Sequence, residues 1–253
     1  PGRGAGQRLQ AAQQPVQPTQ PVQPSQPVQP VKQSQPVIDT SMMTAPSKDI
    51  TEFHEKFAKL VDNVSQVVVG KEAPIRQCAT AMVVGGHILL EDNPGTGKTQ
   101  LARGLANSID MSFKRIQFTP DLLPSDVVGV TYYDQKRGEF EYREGPIFAS
   151  IVLADEINRA SPKTQSALLE VMEEGNVTVD GITREVPKPF IVMATQNPIG
   201  SSGTQMLPES QLDRFMVCVV MGYPDAEAEM EILSRQPRRA LLDRVQPVMD
   251  KND

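Results

Sequence analysis

The chain has 253 residues, of which 39% are hydrophobic and 22% charged, and a formal net charge of −6. This is enough apolar material for one large domain or two small ones, and with only two cysteines it excludes a small disulfide-stapled scaffold. No run reaches the ~18 apolar residues of a membrane-spanning helix and no secretory leader is visible, so a cytoplasmic chain is expected, and its acidic balance argues against a dedicated nucleic-acid surface.

Residues 1–48 read as a disordered tail. Up to Pro46 they hold nine of the 22 prolines and eleven glutamines with almost no large apolar side chain, a composition that cannot bury enough surface to fold. A six-residue unit recurs in it: PVQPTQ from Pro15, PVQPSQ from Pro21 and a decayed PVQPVK from Pro27. Proline at every third position suits the polyproline II helix, so the segment reads either as a solubilising tail or as a ligand for a proline-binding module. Up to Pro46 its charges, Arg3, Arg8, Lys32 and Asp39, sum to +2 and leave −8 for the remainder.

From Asp49 the pattern turns globular. Phe53, Phe57, Leu60 and Val61 fall three or four residues apart and predict a helix, and a second is predicted over Lys71–Val84. Short apolar runs then alternate with helical patterns. His87–Glu91, Phe113–Phe118, Ile151–Ala154, Phe190–Thr195 and Phe215–Met221 read as buried strands, and five strands joined by helices imply a parallel sheet covered on both faces. Cys78 and Cys218 lie in apolar stretches and are expected to be buried reduced thiols. Ser161 is placed to cap a helix from Pro162 to Gly175 that buries Ala167, Leu168, Val171 and Met172. A hairpin turns at Asp180 and Gly181 between alternating residues from Asn176 to Arg184.

Between the first strand and a helix carrying Leu101, Leu105 and Ile109 lies the glycine-rich run from Glu91 to Thr99. Strand, glycine loop and helix form the setting of a phosphate-binding loop. Gly95 and Gly97 allow backbone N–H groups to turn inward, Lys98 can reach the β and γ phosphates, and the Thr99 hydroxyl can ligate Mg2+. The first position of that pattern calls for glycine, and Asp92 stands there with a carboxylate near the phosphates. A glycine turn that binds nothing is the alternative.

Three further strand or helix ends carry polar groups. Ile151–Ala154 runs into Asp155 and Glu156, at the sheet edge where ligands bind; Asp155 can hold Mg2+ through its waters and Glu156 can polarise an attacking water, though acids also end strands for solubility. The Phe190 strand ends near Asn197, which can bond that water or a γ-phosphate oxygen, or simply open a turn before Pro198. Arg214 lies between a helical segment and the last strand. It can neutralise phosphoryl charge from a neighbouring subunit, or pair on the surface with Asp213 or Glu209.

Together the loop ending in Gly97, Lys98 and Thr99, the segments Asp155–Ala160 and Thr195–Pro198, and the run Leu207–Phe215 closely resemble the MoxR family of AAA+ ATPases, as do Gln117–Asp126 and Ser161–Glu170. The likeness spans roughly residues 50–245. It implies an α/β P-loop NTPase core over residues 49–225, with a five-stranded parallel sheet in the order 5-1-4-3-2, and an insertion in the second helix at Tyr132–Pro146. Residues 226–253 would be the helical start of a truncated C-terminal region, without the family's lid and its second sensor arginine. By motif position, the resemblance implies ATP and Mg2+ as cofactors. Val69, Gly70, Asn93, Pro94, Gly95, Thr96, Gly97, Lys98, Thr99 and Gln100 would hold the nucleotide, with Val68–Gly70 near the adenine, and Thr99 and Asp155 the metal. Glu156 would activate water, Asn197 act as sensor, and Arg214 serve as a finger in trans. It also implies a homo-oligomer, hexameric in the family, with protein clients and a von Willebrand factor A domain protein as partners.

The leading expectation is therefore a Mg2+-dependent ATPase that remodels or matures protein clients. The alternative is a nucleotide-binding or interaction protein with little hydrolysis, its lid missing and its loop carrying Asp92, acting through the tail. A magnesium chelatase subunit or a helicase of the same clade is disfavoured, the first by the close MoxR match and the second by the acidic core. His54 and His87 lie on different elements without cysteine or acid at ligand spacing, so surface and strand-start roles are expected of them.

Overall fold

A computed structural model describes residues 48–91, 95–197, 207–234, 242 and 245–249. The proline-rich repeats, Asp92, Asn93, Pro94 and Pro198 lie outside the described residues. Two helices come first, α1 (Lys48–Ser65) and α2 (Glu72–Val83), then β1 (Ile88–Glu91), α3 (Lys98–Ser108) and β2 (Phe113–Gln117). A short α4 (Pro124–Val128) leads into the antiparallel pair β3 (Gly129–Asp134) and β4 (Glu139–Glu144), and β5 (Ile151–Asp155) follows. After α5 (Pro162–Glu174), a second hairpin of β6 (Asn176–Val179) and β7 (Ile182–Glu185) precedes β8 (Ile191–Gln196). The short α6 (Glu209–Leu212), β9 (Val217–Val219) and α7 (Ala226–Ser234) complete the series.

The five core strands are parallel and stand in the order β2-β5-β8-β1-β9. Counting core strands alone, this is the expected 5-1-4-3-2 arrangement read from the other edge. Alternation along each strand feeds two cores. Ile88, Leu90, Ile151, Leu153, Ile191 and Met193 face the layer of α1, α2 and α3, where they meet Leu60, Ile75, Leu101 and Leu105. Leu89, Val152, Ala154, Val192 and Ala194 face the opposite layer, with Phe118, Leu168 and Leu169. Burial of both faces explains why these strands are near-continuous apolar runs.

Local details follow from the same chemistry. The Ser161 hydroxyl accepts from the Thr164 N–H at 3.4 Å, Pro162 fills the first helical position, and Gly175 ends α5 with φ of +68°. Leu168, Val171 and Met172 are buried as expected, but Ala167 is only half-buried and Leu169 takes its place in the core. Phe53 is exposed about two turns before the buried part of α1 begins at Leu60. The last core strand is trimmed to Val217–Val219, and its edge position leaves Cys218 exposed, which corrects the expectation of two buried thiols. Cys78 is buried, and burial pushes its thiol up to about 12. The insertion predicted at Tyr132–Pro146 is the β3–β4 hairpin, starting three residues earlier at Gly129. The two hairpins touch: the Arg184 guanidinium lies 3.7 Å from the centre of the Tyr142 ring.

His87, immediately before β1, does structural work that its sequence context did not reveal. Its Nδ1 accepts from the Val192 N–H of β8 at 3.0 Å, and Nε2 lies 3.1 Å from the Met172 carbonyl of α5, which fixes the neutral tautomer with its proton on Nε2. Burial lowers its pKa below the ordinary 6.5, against a smaller upward pull from the Met172 carbonyl. Because the folded state favours neutral imidazole, this clasp contributes fully above pH 6.5 and is lost as pH falls through the depressed folded pKa. Urea-unfolding midpoints measured from pH 7.5 down to about 5 are therefore expected to fall more steeply for the wild type than for His87→Gln; parallel curves would refute the role.

Candidate functional site

The sheet order sets three strand ends side by side. β1 runs into the glycine loop, β5 ends in the acids and β8 ends at Asn197, and β8 is paired to both of the others. Their carboxyl ends form one edge, the position at which a parallel sheet with helical crossovers leaves room for a ligand. Gly95 and Gly97 have φ of +89° and +95°, and the second caps the N-terminus of α3, so both adopt backbone that a side chain would strain. Lys98 and Thr99 open that helix.

One cavity gathers the residues singled out in the sequence. Gly95, Gly97, Lys98, Thr99 and Gln100 line one side, and Asp155, Glu156 and Asn197 the other. A second, more apolar cavity shares Gly95, Gly97 and Gln100 with it and is lined further by Val67, Val68, Val69, Lys71, Pro224 and Ile232. Buried Thr96 belongs to this second cavity. Gly70 lies behind rather than in it: with φ of +70°, it lets α7 approach so closely that a Cβ there would stand 2.6 Å from the Ala228 Cβ. Asn93 and Pro94 fall outside the described residues.

The acids are held by a dense set of donors. The Thr195 hydroxyl, fully buried on β8, donates to Asp155 Oδ1 at 2.6 Å and accepts from the Glu156 N–H at 2.8 Å. That second bond steadies an unusual backbone, since Glu156 has φ of +56°, a conformation that costs a non-glycine residue about 1–2 kcal/mol. Arg115 on β2 donates to Asp155 Oδ2 from Nε at 3.1 Å and from a terminal nitrogen at 2.6 Å, and the same nitrogen reaches Gln117 Oε1 at 2.6 Å. The Glu156 carboxylate receives Arg159 at 2.7 Å, Gln117 Nε2 at 3.1 Å and Asn197 Nδ2 at 3.4 Å. Glu91 at the end of β1 is bonded by Gln196 of β8.

Arg214 is not among them. Its guanidinium binds Glu173 Oε2 at 2.7 and 3.1 Å and the Ser210 carbonyl at 2.9 Å, beside a separate cavity shared with Met172 and Asp213. The partner is Glu173 of α5, neither of the two acids that neighbour it in sequence. Arg115, Gln117, Arg159 and Thr195 were missed as site residues. A signal existed for the first two: they are two residues apart at the end of a strand, hence on one face, and Gln117 is in register with Asp155.

The residues fit a divalent cation and a nucleotide by chemistry. The Thr99 hydroxyl and the Asp155 carboxylate are hard oxygen donors in the cavity that holds Lys98, the kind of sparse set that suits Mg2+ shared with phosphates. No group of three or more His, Cys, Asp or Glu side chains able to hold a metal by itself occurs among the described residues, and no described helix is long and apolar enough to cross a membrane.

Comparison with known proteins agrees with this geometry. The pattern of the ATPase family associated with various cellular activities (AAA) matches residues 87–217, over half of the chain. The chain is 55% identical over 202 residues to the uncharacterized protein YeaC of Bacillus subtilis (strain 168), covering 80% of this chain and 63% of that one. It is 46% identical over 177 residues to Chaperone MoxR1 of Mycobacterium tuberculosis, covering 70% and 47%. A crystal structure of an ATPase candidate from Cytophaga hutchinsonii superposes with a TM-score of 0.70 at 43% identity, covering 81% of this chain and 64% of that one. The chain thus spans about half to two thirds of the length of these relatives. Matched over more than half its length by the family pattern and akin to MoxR proteins at this identity, the chain belongs to the MoxR family of AAA+ ATPases.

Proposed function

We propose that the chain binds ATP with Mg2+ and hydrolyses it, and that hydrolysis drives conformational change in a protein client. The observation that carries this reading is the convergence of Lys98, Thr99, Asp155, Glu156 and Asn197 on one cavity from three adjacent strand ends. The apolar cavity beside Val68 and Val69 suits a flat base, and the glycine loop between the two cavities suits the phosphate chain. Lys98 would neutralise phosphate charge, and Thr99 with Asp155 would hold the metal, which would supply further charge neutralisation at the phosphates when bound. Glu156 accepts a proton from the attacking water, and Asn197, already turned toward that carboxylate, positions the water or the γ phosphate. A relative named a chaperone, MoxR1 of Mycobacterium tuberculosis, supports the client-directed role.

Arg214 lies away from the cavity of its own chain, which accords with a role in a neighbour's site within a ring. A ring assembly and a partner with a von Willebrand factor A domain remain part of this proposal.

Equilibrium binding and phosphate release separate the steps. Lys98→Ala is expected to weaken nucleotide binding about 10- to 100-fold. Glu156→Gln is expected to bind nucleotide as the wild type does while turnover drops about 10²- to 10⁴-fold; unchanged turnover would sink the role given to Glu156. Thr195→Val, which removes the hydroxyl shared by both acids, should lower stability by about 1–3 kcal/mol and reduce turnover, with Thr195→Ser restoring both. Mixing Arg214→Ala chains with Glu156→Gln chains should recover part of the turnover that each lacks alone, because mixed rings hold some sites with both groups intact; no recovery at any mixing ratio counts against action in trans.

A further inference from the structure

The Asp155 carboxylate, assigned above to the metal, already has a cation on it. Arg115 places two N–H groups on Oδ2, at 2.6 and 3.1 Å, and Thr195 occupies Oδ1 at 2.6 Å. A guanidinium and a divalent cation cannot share that oxygen without strong mutual repulsion, since both seek the same lone pairs. The two cations also differ in what holds them. Arg115 comes from an edge strand, its side chain is 43% exposed, and its own charge can swing into water, whereas the Asp155 side chain is 13% exposed and fixed from the other side by Thr195. Gln117, two residues along the same face, accepts from the guanidinium and donates to Glu156, so the arginine is held in line with both acids.

We propose that Arg115 gates the metal position: it occupies Asp155 while the metal is absent and must release that carboxylate when Mg2+ arrives with nucleotide. This rests on the nucleotide-site reading above. In this role Arg115 is a positioning residue that acts through Asp155. It keeps the Asp155 carboxylate from standing without a cation beside Glu156, which Arg159 already pairs, and it sets the Mg2+ concentration at which the site fills. As a wall of the same cavity as Lys98, it remains a cation near the phosphate end after release.

The test reads binding. Fluorescence of N-methylanthraniloyl-ADP bound to the full chain is followed as MgCl2 is added, and the Mg2+ concentration at half-maximal change is compared among variants. Because the pair is half open to water, removing it is expected to lower that concentration about three- to tenfold in Arg115→Gln. Arg115→Lys, which keeps the charge but loses the forked contact, should fall between Arg115→Gln and the wild type. In an Asp155→Asn background the Arg115→Gln change should have no further effect. A half-maximal concentration that is unchanged or raised in Arg115→Gln, or the same shift persisting with Asp155→Asn, overturns the gate. Failure of every variant and of the wild type to bind the nucleotide at any Mg2+ concentration overturns the nucleotide-site reading itself.

Discussion

Burial of both faces of the three central strands, β5, β8 and β1, is the constraint on which the rest depends. With Ile88 and Leu90 committed to one layer and Leu89 to the other, and the same division repeated in β5 and β8, no polar side chain has room along the middle of these strands. Polar chemistry is therefore confined to the strand ends, where Glu91, Asp155 and Gln196 emerge in register or on neighbouring strands. The strand order then decides which ends meet: β1 and β5 both flank β8, and the phosphate loop and the acids face each other across it.

Much of this was legible in the sequence because each piece had a local cause. An apolar run followed by glycines and Lys98, an apolar run followed by two acids, and a serine three residues before Thr164 with proline next to it each state their structure within about ten residues. The strand order came from the family resemblance, since nothing in the periodicity of a buried strand says who its neighbours are. Errors fell where long-range packing overrules local pattern. Phe53 continues the helical stripe of α1 but lies beyond the edge of the layer it would pack against, and Cys218 sits in an apolar run on an edge strand with one side open.

In the site, what could be read were the residues carried by motifs, and what could not were those that hold them. Thr195 looks like an ordinary strand residue until the sheet places its hydroxyl between Asp155 and the Glu156 N–H. Arg115 and Gln117 belong to a strand roughly forty residues away in sequence from the acids they touch. Only pairing of β2 with β5 makes them neighbours. The same holds for Arg214, whose partner on α5 is forty-one residues upstream.

The contact between Arg184 and Tyr142 joins two hairpins inserted at different points of the chain, one before β5 and one before β8. Each hairpin alone is a lever hinged at its base, free to tilt independently. Clamped through a ring and a guanidinium, they form a single beam resting on two supports, since Tyr142 also bonds the Val128 carbonyl at the end of α4 while β6 follows directly from α5. A load applied at either tip is thus shared, through a contact worth about 0.5–2 kcal/mol, between the segments that enter β5 and β8.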